Sequence, residues 1–208
     1  MAQILVFGDS ISYGAWDKEG GWVSRLKKYL DISQPKEHDV YNLGIPIDES
    51  SEEVLKRFIP ETKARLGSEK EYIIIFSIGV NDSQFINSKN NFRTKPEKFR
   101  ENIQKLINLA QRFTSKVIFI SLAPVDESKT DPIPWVPDRS YKNSYIKKYN
   151  EMIKAICKEN KIYFIEFFNK LIRSDYKRTL DDGIHPNAKG HQKIFETIKD
   201  FLIKNKII

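Results

Sequence analysis

The sequence predicts an α/β protein in which one parallel five-stranded sheet carries helices on both faces. Three observations predict it. Five short apolar runs, rich in β-branched and aromatic residues, recur along the chain, and each is stopped by glycine, proline or polar residues. Stretches of helical periodicity lie between them, so strand and helix alternate as a parallel sheet requires. The clearest runs are apolar throughout rather than alternating, as befits strands buried on both faces.

The first run, Ile4-Leu5-Val6-Phe7, leads straight into Gly8-Asp9-Ser10. Residues 10–21 are expected as a loop. A helix over 22–30 follows, with Trp22, Val23, Leu26, Tyr29 and Leu30 at helical spacing, and Gln34-Pro35 ends it. Residues 40–44 form the second strand. Asp48-Glu49-Ser50-Ser51 offers a cap and early acids for a helix starting there, with Pro60 at a kink or a new start and Gly67 near its end. Residues 72–78 are the most evident strand and run into Gly79-Val80-Asn81-Asp82. After a polar loop at 87–91, a helix over 96–113 opens on Pro96 and lines up Phe99, Ile103, Leu106, Ile107 and Ala110 on one face.

Residues 117–122 are the fourth strand. Residues 125–140 hold Pro132, Pro134, Pro137 and Trp135 and read as a long irregular segment, of the kind that forms lids and binding loops. A helix over 141–160, a fifth strand over 162–165, a short helical piece over 169–173 and a final helix over 187–203 complete the chain. Right-handed crossovers and a first strand near the middle give the strand order 2-1-3-4-5. No linker separates two self-sufficient sets of strands, so residues 1–208 read as one domain.

Composition narrows the function classes. The chain is 40% hydrophobic and 30% charged, an ordinary globular balance. Its formal charge is +7, yet lysines such as Lys147, Lys148, Lys154 and Lys158 lie on a helical pattern rather than along one groove, so nucleic acid is not an expected partner. The single cysteine, Cys157, excludes an internal disulfide and falls in an apolar helical pattern with Met152, Ile153 and Ile156. No Cys/His cluster calls for a metal, and no cofactor is expected. With no signal-peptide pattern at the start and no run long enough to span a bilayer, the expectation is a cytoplasmic protein.

In the order 2-1-3-4-5, ligands bind beyond the carboxyl ends of strands one and three. Ser10 leaves strand one at that edge, Asn81 leaves strand three, and Gly44 ends strand two. A serine hydroxyl needs an adjacent base to act as a nucleophile. His38 precedes strand two at the opposite end of the sheet, and His191 belongs to the last helix, where a half-exposed structural role is expected. His185 follows Asp182 by three residues in a loop, a spacing that permits an Asp–His hydrogen bond and makes Ser10, His185 and Asp182 a candidate triad. Asp181 is a weaker alternative to Asp182, and Ser12 to Ser10. The Ser10 and Gly44 backbone N–H groups and the Asn81 amide are candidate donors to an oxyanion.

Gly8-Asp9-Ser10, Asn42-Leu43-Gly44, Gly79-Val80-Asn81-Asp82 and Asp182-Gly183-Ile184-His185-Pro186, in that order, resemble the SGNH or GDSL hydrolase family. The resemblance spans nearly the whole chain. It implies a flavodoxin-like three-layer α/β/α fold and serine ester hydrolysis without a metal. Ser10 would then be the nucleophile, Gly44 and Asn81 oxyanion donors, His185 the base and Asp182 its orienting acid. Pro124-Val125-Asp126-Glu127 resembles a variant of intracellular bacterial members. The chain departs from the pattern at Ile45-Pro46-Ile47-Asp48-Glu49, where another small residue is common, and at Val80, where threonine is commoner. The expected activity is hydrolysis of short acyl esters through an acyl-enzyme, with a small-molecule ester as partner. The alternatives are a non-catalytic ester- or carbohydrate-binding module and a nucleotide- or flavin-binding protein. The Trp135 segment either covers substrate or packs on a second subunit, which leaves a homo-oligomer open.

Overall fold

The computed structural model describes residues 2–67 and 71–208. In chain order the elements are β1 (Ala2–Gly8), α1 (Ser10–Tyr13), α2 (Gly21–Ser33), β2 (His38–Gly44), α3 (Ser51–Lys63) and β3 (Glu71–Ser77). Then come β4 (Phe85–Ile86), β5 (Asn91–Phe92), α4 (Pro96–Ala110), β6 (Lys116–Ile120), α5 (Glu127–Thr130), β7 (Arg139–Ser140), α6 (Asn143–Glu159), β8 (Tyr163–Ile165), α7 (Phe168–Ile172) and α8 (Ala188–Lys204). The main sheet has the order β2-β1-β3-β6-β8, parallel throughout, which is the 2-1-3-4-5 order in terms of its own strands.

The strand β1 is buried at every residue because it is covered on both faces. Helix α2 packs with α8, while α3, α4 and α6 pack side by side. Phe7, Phe76 and Phe119 stand on adjacent strands, with ring centroids 5.8 and 4.7 Å apart, and Phe58 of α3 packs 5.5 Å from Phe76. Each such buried ring contributes on the order of 2–3 kcal/mol by leaving water. This aromatic row fixes the sheet beneath the site.

The register positions the chemistry. Gly8 pairs with Gly44 on one side and Ser77 on the other, so β2, β1 and β3 stop along one line. The segments after all three strands therefore share one edge.

Several elements differ from the sequence reading. Residues 10–13 form a helical turn rather than open loop, because the Asp9 carboxylate caps it through the Ile11 N–H at 3.0 Å and Gly14 closes it at φ 87°. Helix α3 runs through Pro60 unbroken, started by a capping box between Ser50 and Glu53. Strands β4, β5 and β7 form a second, antiparallel sheet of two-residue strands, too short to leave a periodic signal. That sheet fastens the 125–140 segment to the loop after β3. Helix α6 starts at Asn143, so Tyr141 lies outside it, between β7 and the helix. Among the described residues no helix is long and apolar enough to cross a membrane.

Candidate active site

Ser10 is the first residue of α1, directly after the capping Asp9. Its hydroxyl lies 2.9 Å from His185 Nε2, and His185 Nδ1 lies 2.6 Å from Asp182 Oδ2. A carboxylate can only accept, so Nδ1 carries the imidazole proton and donates it to Asp182. Nε2 is then bare and accepts from the Ser10 O–H. The chain of bonds runs in the direction that lets the imidazole take the serine proton. Ser10 and His185 are 175 residues apart, and the fold alone brings them together.

Asp182 is held as firmly as the ring it orients. Its Oδ1 accepts the backbone N–H groups of Ile184 at 2.9 Å and His185 at 2.8 Å. Partial burial works to raise its pKa, but the His185 ring and these two N–H groups outweigh it and hold the carboxyl at about 2. The loop is pinned from outside by Lys129, whose Nζ donates to the carbonyls of Leu180 at 3.2 Å and Asp181 at 3.0 Å. Asp181 itself is exposed and accepts from Asn187 Nδ2 at 3.3 Å, away from the imidazole.

Asn81 is buried within the turn that follows β3. Its Nδ2 donates to the Glu49 carbonyl at 2.9 Å, and its Oδ1 accepts from the Tyr141 hydroxyl at 2.5 Å. One Nδ2 hydrogen has no partner among the described residues and is free for a ligand. The same holds for the Ser10 N–H, an unpaired amide at the start of α1. Asp82, next to Asn81, is structural: its carboxylate accepts from Ser51 N at 3.0 Å and Ser51 Oγ at 2.6 Å, anchoring α3.

Gly44, expected as an oxyanion donor, has its N–H engaged within its own turn. Its N–H is taken by Asn42 Oδ1 at 3.0 Å, while Asn42 Nδ2 donates to the Ser12 carbonyl at 2.9 Å. A Cβ at Gly44 would stand 2.4 Å from Tyr13 N. The glycine is there to let the α1 backbone, which carries Ser10, close against the end of β2. The cleft wall on this side is made by Pro46, Ile47 and Asp48 instead.

Residues 6–193 match the GDSL-like Lipase/Acylhydrolase family. The chain belongs to that family. It is an ester-hydrolysing enzyme. Esterase TesA of Pseudomonas aeruginosa is 24% identical over 196 residues, spanning 94% of this chain and 85% of that protein. Solved structures share the fold, among them the following two. A lipase/acylhydrolase from Enterococcus faecalis superposes with a TM-score of 0.76 at 22% identity, covering 97% of this chain and 95% of its own. An acetylxylan esterase from Geobacillus stearothermophilus superposes at 0.71 with 18% identity, covering 97% and 92%.

Ser10, His185, Asp182 and Asn81 all line one cleft of about 800 Å³. Its mouth carries three exposed apolar side chains, Trp16, Ile47 and Trp135. Trp16 adopts a left-handed φ of 66° and stands edge-on to His185, with ring centroids 6.1 Å apart. Trp135 thus belongs to the cleft rim.

The other histidines lie elsewhere. His38 opens β2 and bonds to Gln34 at 2.7 Å. His191 is fully buried rather than half-exposed, and burial pushes its pKa down to about 4, so the ring stays neutral in the core. Asp9 is buried under the nucleophile, and burial raises its carboxyl to about 6 against the pull of the Ile11 N–H.

Sequence reasoning missed Tyr141 and Gln84. Tyr141, Tyr145 and Tyr149 repeat every fourth residue, so Tyr141 looks like the first core position of a helix. A helix start moved two residues onward frees it for the cleft. Gln84 sits in a polar turn with no pattern to single it out.

Proposed function

We propose that this enzyme hydrolyses small carboxylic esters through an acyl-enzyme on Ser10. The observation that carries this reading is the continuous set of bonds from Ser10 Oγ to His185 Nε2 and from His185 Nδ1 to Asp182. Ser10 Oγ attacks the ester carbonyl while His185 Nε2 takes its proton. Negative charge collects on the carbonyl oxygen, for which the free Ser10 N–H and the free Asn81 Nδ2 hydrogen are the donors. The imidazolium, balanced by Asp182, then gives its proton to the departing alcohol. Water repeats the sequence on the acyl-serine and releases the acid.

The shape of the site supports a preference for short acyl groups. Next to Asp9 and Ile11, which flank Ser10, the interior space between them and Trp22 and Val80 amounts to about 10 Å³, room for no more than a water molecule. A long chain has no inner channel there. It would lie along the open cleft, over Trp16 and Trp135.

Hydrolysis of chromogenic esters from acetyl to decanoyl, wild type beside Ser10→Ala, tests this. Turnover that vanishes in the variant and peaks at short chains is expected. Turnover that survives Ser10→Ala, with circular dichroism unchanged, contradicts the assignment of the nucleophile; a peak at decanoyl contradicts the short-acyl preference.

A further inference from the structure

We infer that Tyr141 and Gln84 are positioning residues that set the Asn81 amide for the oxyanion, the outermost link being Arg139. The inference rests on the reaction proposed for Ser10. Four hydrogen bonds make the case. Arg139 Nη1 donates to Gln84 Oε1 at 3.3 Å, and Gln84 Nε2 donates to the Tyr141 hydroxyl at 2.5 Å. Tyr141 donates to Asn81 Oδ1 at 2.5 Å, and Asn81 Nδ2 donates to the Glu49 carbonyl at 2.9 Å.

The two ends of this chain fix every proton within it. A guanidinium can only donate, so the Gln84 oxygen must face Arg139 and its NH₂ must face Tyr141. A carbonyl can only accept, so the Asn81 NH₂ must face Glu49 and its oxygen must face Tyr141. The phenol therefore accepts from Gln84 and has one proton left, which it gives to Asn81. Every link points the same way, positive end toward the substrate, and bonds aligned in series strengthen one another.

Tyr141, Gln84 and Asn81 are all buried, so water does not compete for these groups. Burial also holds the Tyr141 phenol well above its usual ionisation range, and it stays a donor at any working pH. Arg139 is tethered by Asp48 at 2.8 Å, which keeps the outer link at the cleft rim. Without the phenol proton, the bond to the Glu49 carbonyl alone holds Asn81 Oδ1 away from the reacting oxygen. The amide could then turn its oxygen, a repulsive group, toward the developing charge.

A double-mutant cycle on Tyr141→Phe and Asn81→Ala reads this directly. Tyr141→Phe keeps the ring in place. It is expected to lower kcat about tenfold, the scale of one hydrogen bond, with KM within twofold and the shape of the pH profile unchanged. Asn81→Ala is expected to cost about 10²–10³-fold. The double variant should be no slower than Asn81→Ala alone, because Tyr141 acts through Asn81. Multiplicative losses, or a Tyr141→Phe enzyme within twofold of wild type, overturn the inference. Should Tyr141→Phe fail to fold, Gln84→Leu takes its place under the same two criteria. Ser10→Ala run in parallel keeps the two readings apart. Its retained turnover counts against the nucleophile, whereas Ser10-dependent turnover with a multiplicative cycle counts against the positioning alone.

Discussion

Asp182→Asn replaces one carboxylate oxygen with NH₂ and separates two effects that one carboxylate now combines. The amide oxygen can still accept from the Ile184 and His185 N–H groups, as Oδ1 does now at 2.9 and 2.8 Å, so the loop keeps its turn. The NH₂ then faces His185 Nδ1. That nitrogen must become an acceptor, the ring proton moves to Nε2, and Nε2 can no longer take a proton from Ser10. A wrong tautomer of this kind costs roughly 10⁴-fold in kcat in a serine protease, and a loss of that order is expected here. Stability changes separately. The carboxyl pKa is about 2 in the fold against the ordinary aspartate value of 3.8, a difference equivalent to about 2.4 kcal/mol. The side chain is 27% exposed, which reduces the expected value to about 1–2 kcal/mol. Because the folded pKa is the lower one, this contribution is present above pH 4 and is lost as pH falls toward 2. Single-turnover kinetics, together with urea titrations at pH 2.5, 4 and 7, measure both effects. The variant should lose activity at every pH and lose less stability below pH 4 than the wild type, by the share that Asp182 contributes. A variant within tenfold of wild-type kcat would refute the role given to Asp182.

Two further perturbations bear on the frame around the nucleophile. Asp9 has a folded pKa of about 6, above the ordinary aspartate value of 3.8, so its share of stability is fully present below pH 4 and is lost as pH rises through 6. Asp9→Asn keeps an oxygen for the Ile11 N–H and removes the buried charge, so it should raise stability at pH 8 by up to about 3 kcal/mol and flatten the pH 4–7 range. A urea midpoint at pH 8 below that of wild type would contradict this. Gly8→Ala would set a Cβ 2.2 Å from Ser12 Oγ and 2.8 Å from the Ser77 carbonyl, and the latter is backbone in the next strand. It should cost about 1–3 kcal/mol in urea unfolding and lower kcat by shifting α1; an unchanged midpoint would show that α1 can move aside freely.

The fold was legible in the sequence wherever burial imposed a pattern. The buried strands β1, β3 and β6 left unbroken apolar runs, the edge strands β2 and β8 left shorter ones, and the helices between them kept their spacing, so the alternation that gives the strand order and the shared edge was legible. Ser10, Asp182, His185 and Asn81 were legible because each is a polar residue at the stop of such a run or in a short motif. Gly44 was legible as a special position, but a sequence does not show that the Asn42 side chain takes its N–H or that the Tyr13 backbone packs against it. The β4, β5 and β7 strands, two residues each, fall below any period. Tyr141 was hidden because a helix-spaced tyrosine and a site tyrosine look alike until the helix start is seen. The Gln84–Tyr141–Asn81 chain joins residues 57 and 60 apart, a closeness that only the folded chain provides.

The central claim is a covalent acyl group on Ser10. Mixing the enzyme with a chromogenic acetyl ester, quenching in acid within milliseconds and taking the intact mass tests it most directly, with peptide mapping to find the modified residue. The account predicts one added acetyl group on the peptide containing Ser10, absent in Ser10→Ala and accumulating in Asp182→Asn if deacylation slows more than acylation. Ester turnover with the acetyl group on another residue, or turnover that persists in Ser10→Ala, would contradict it.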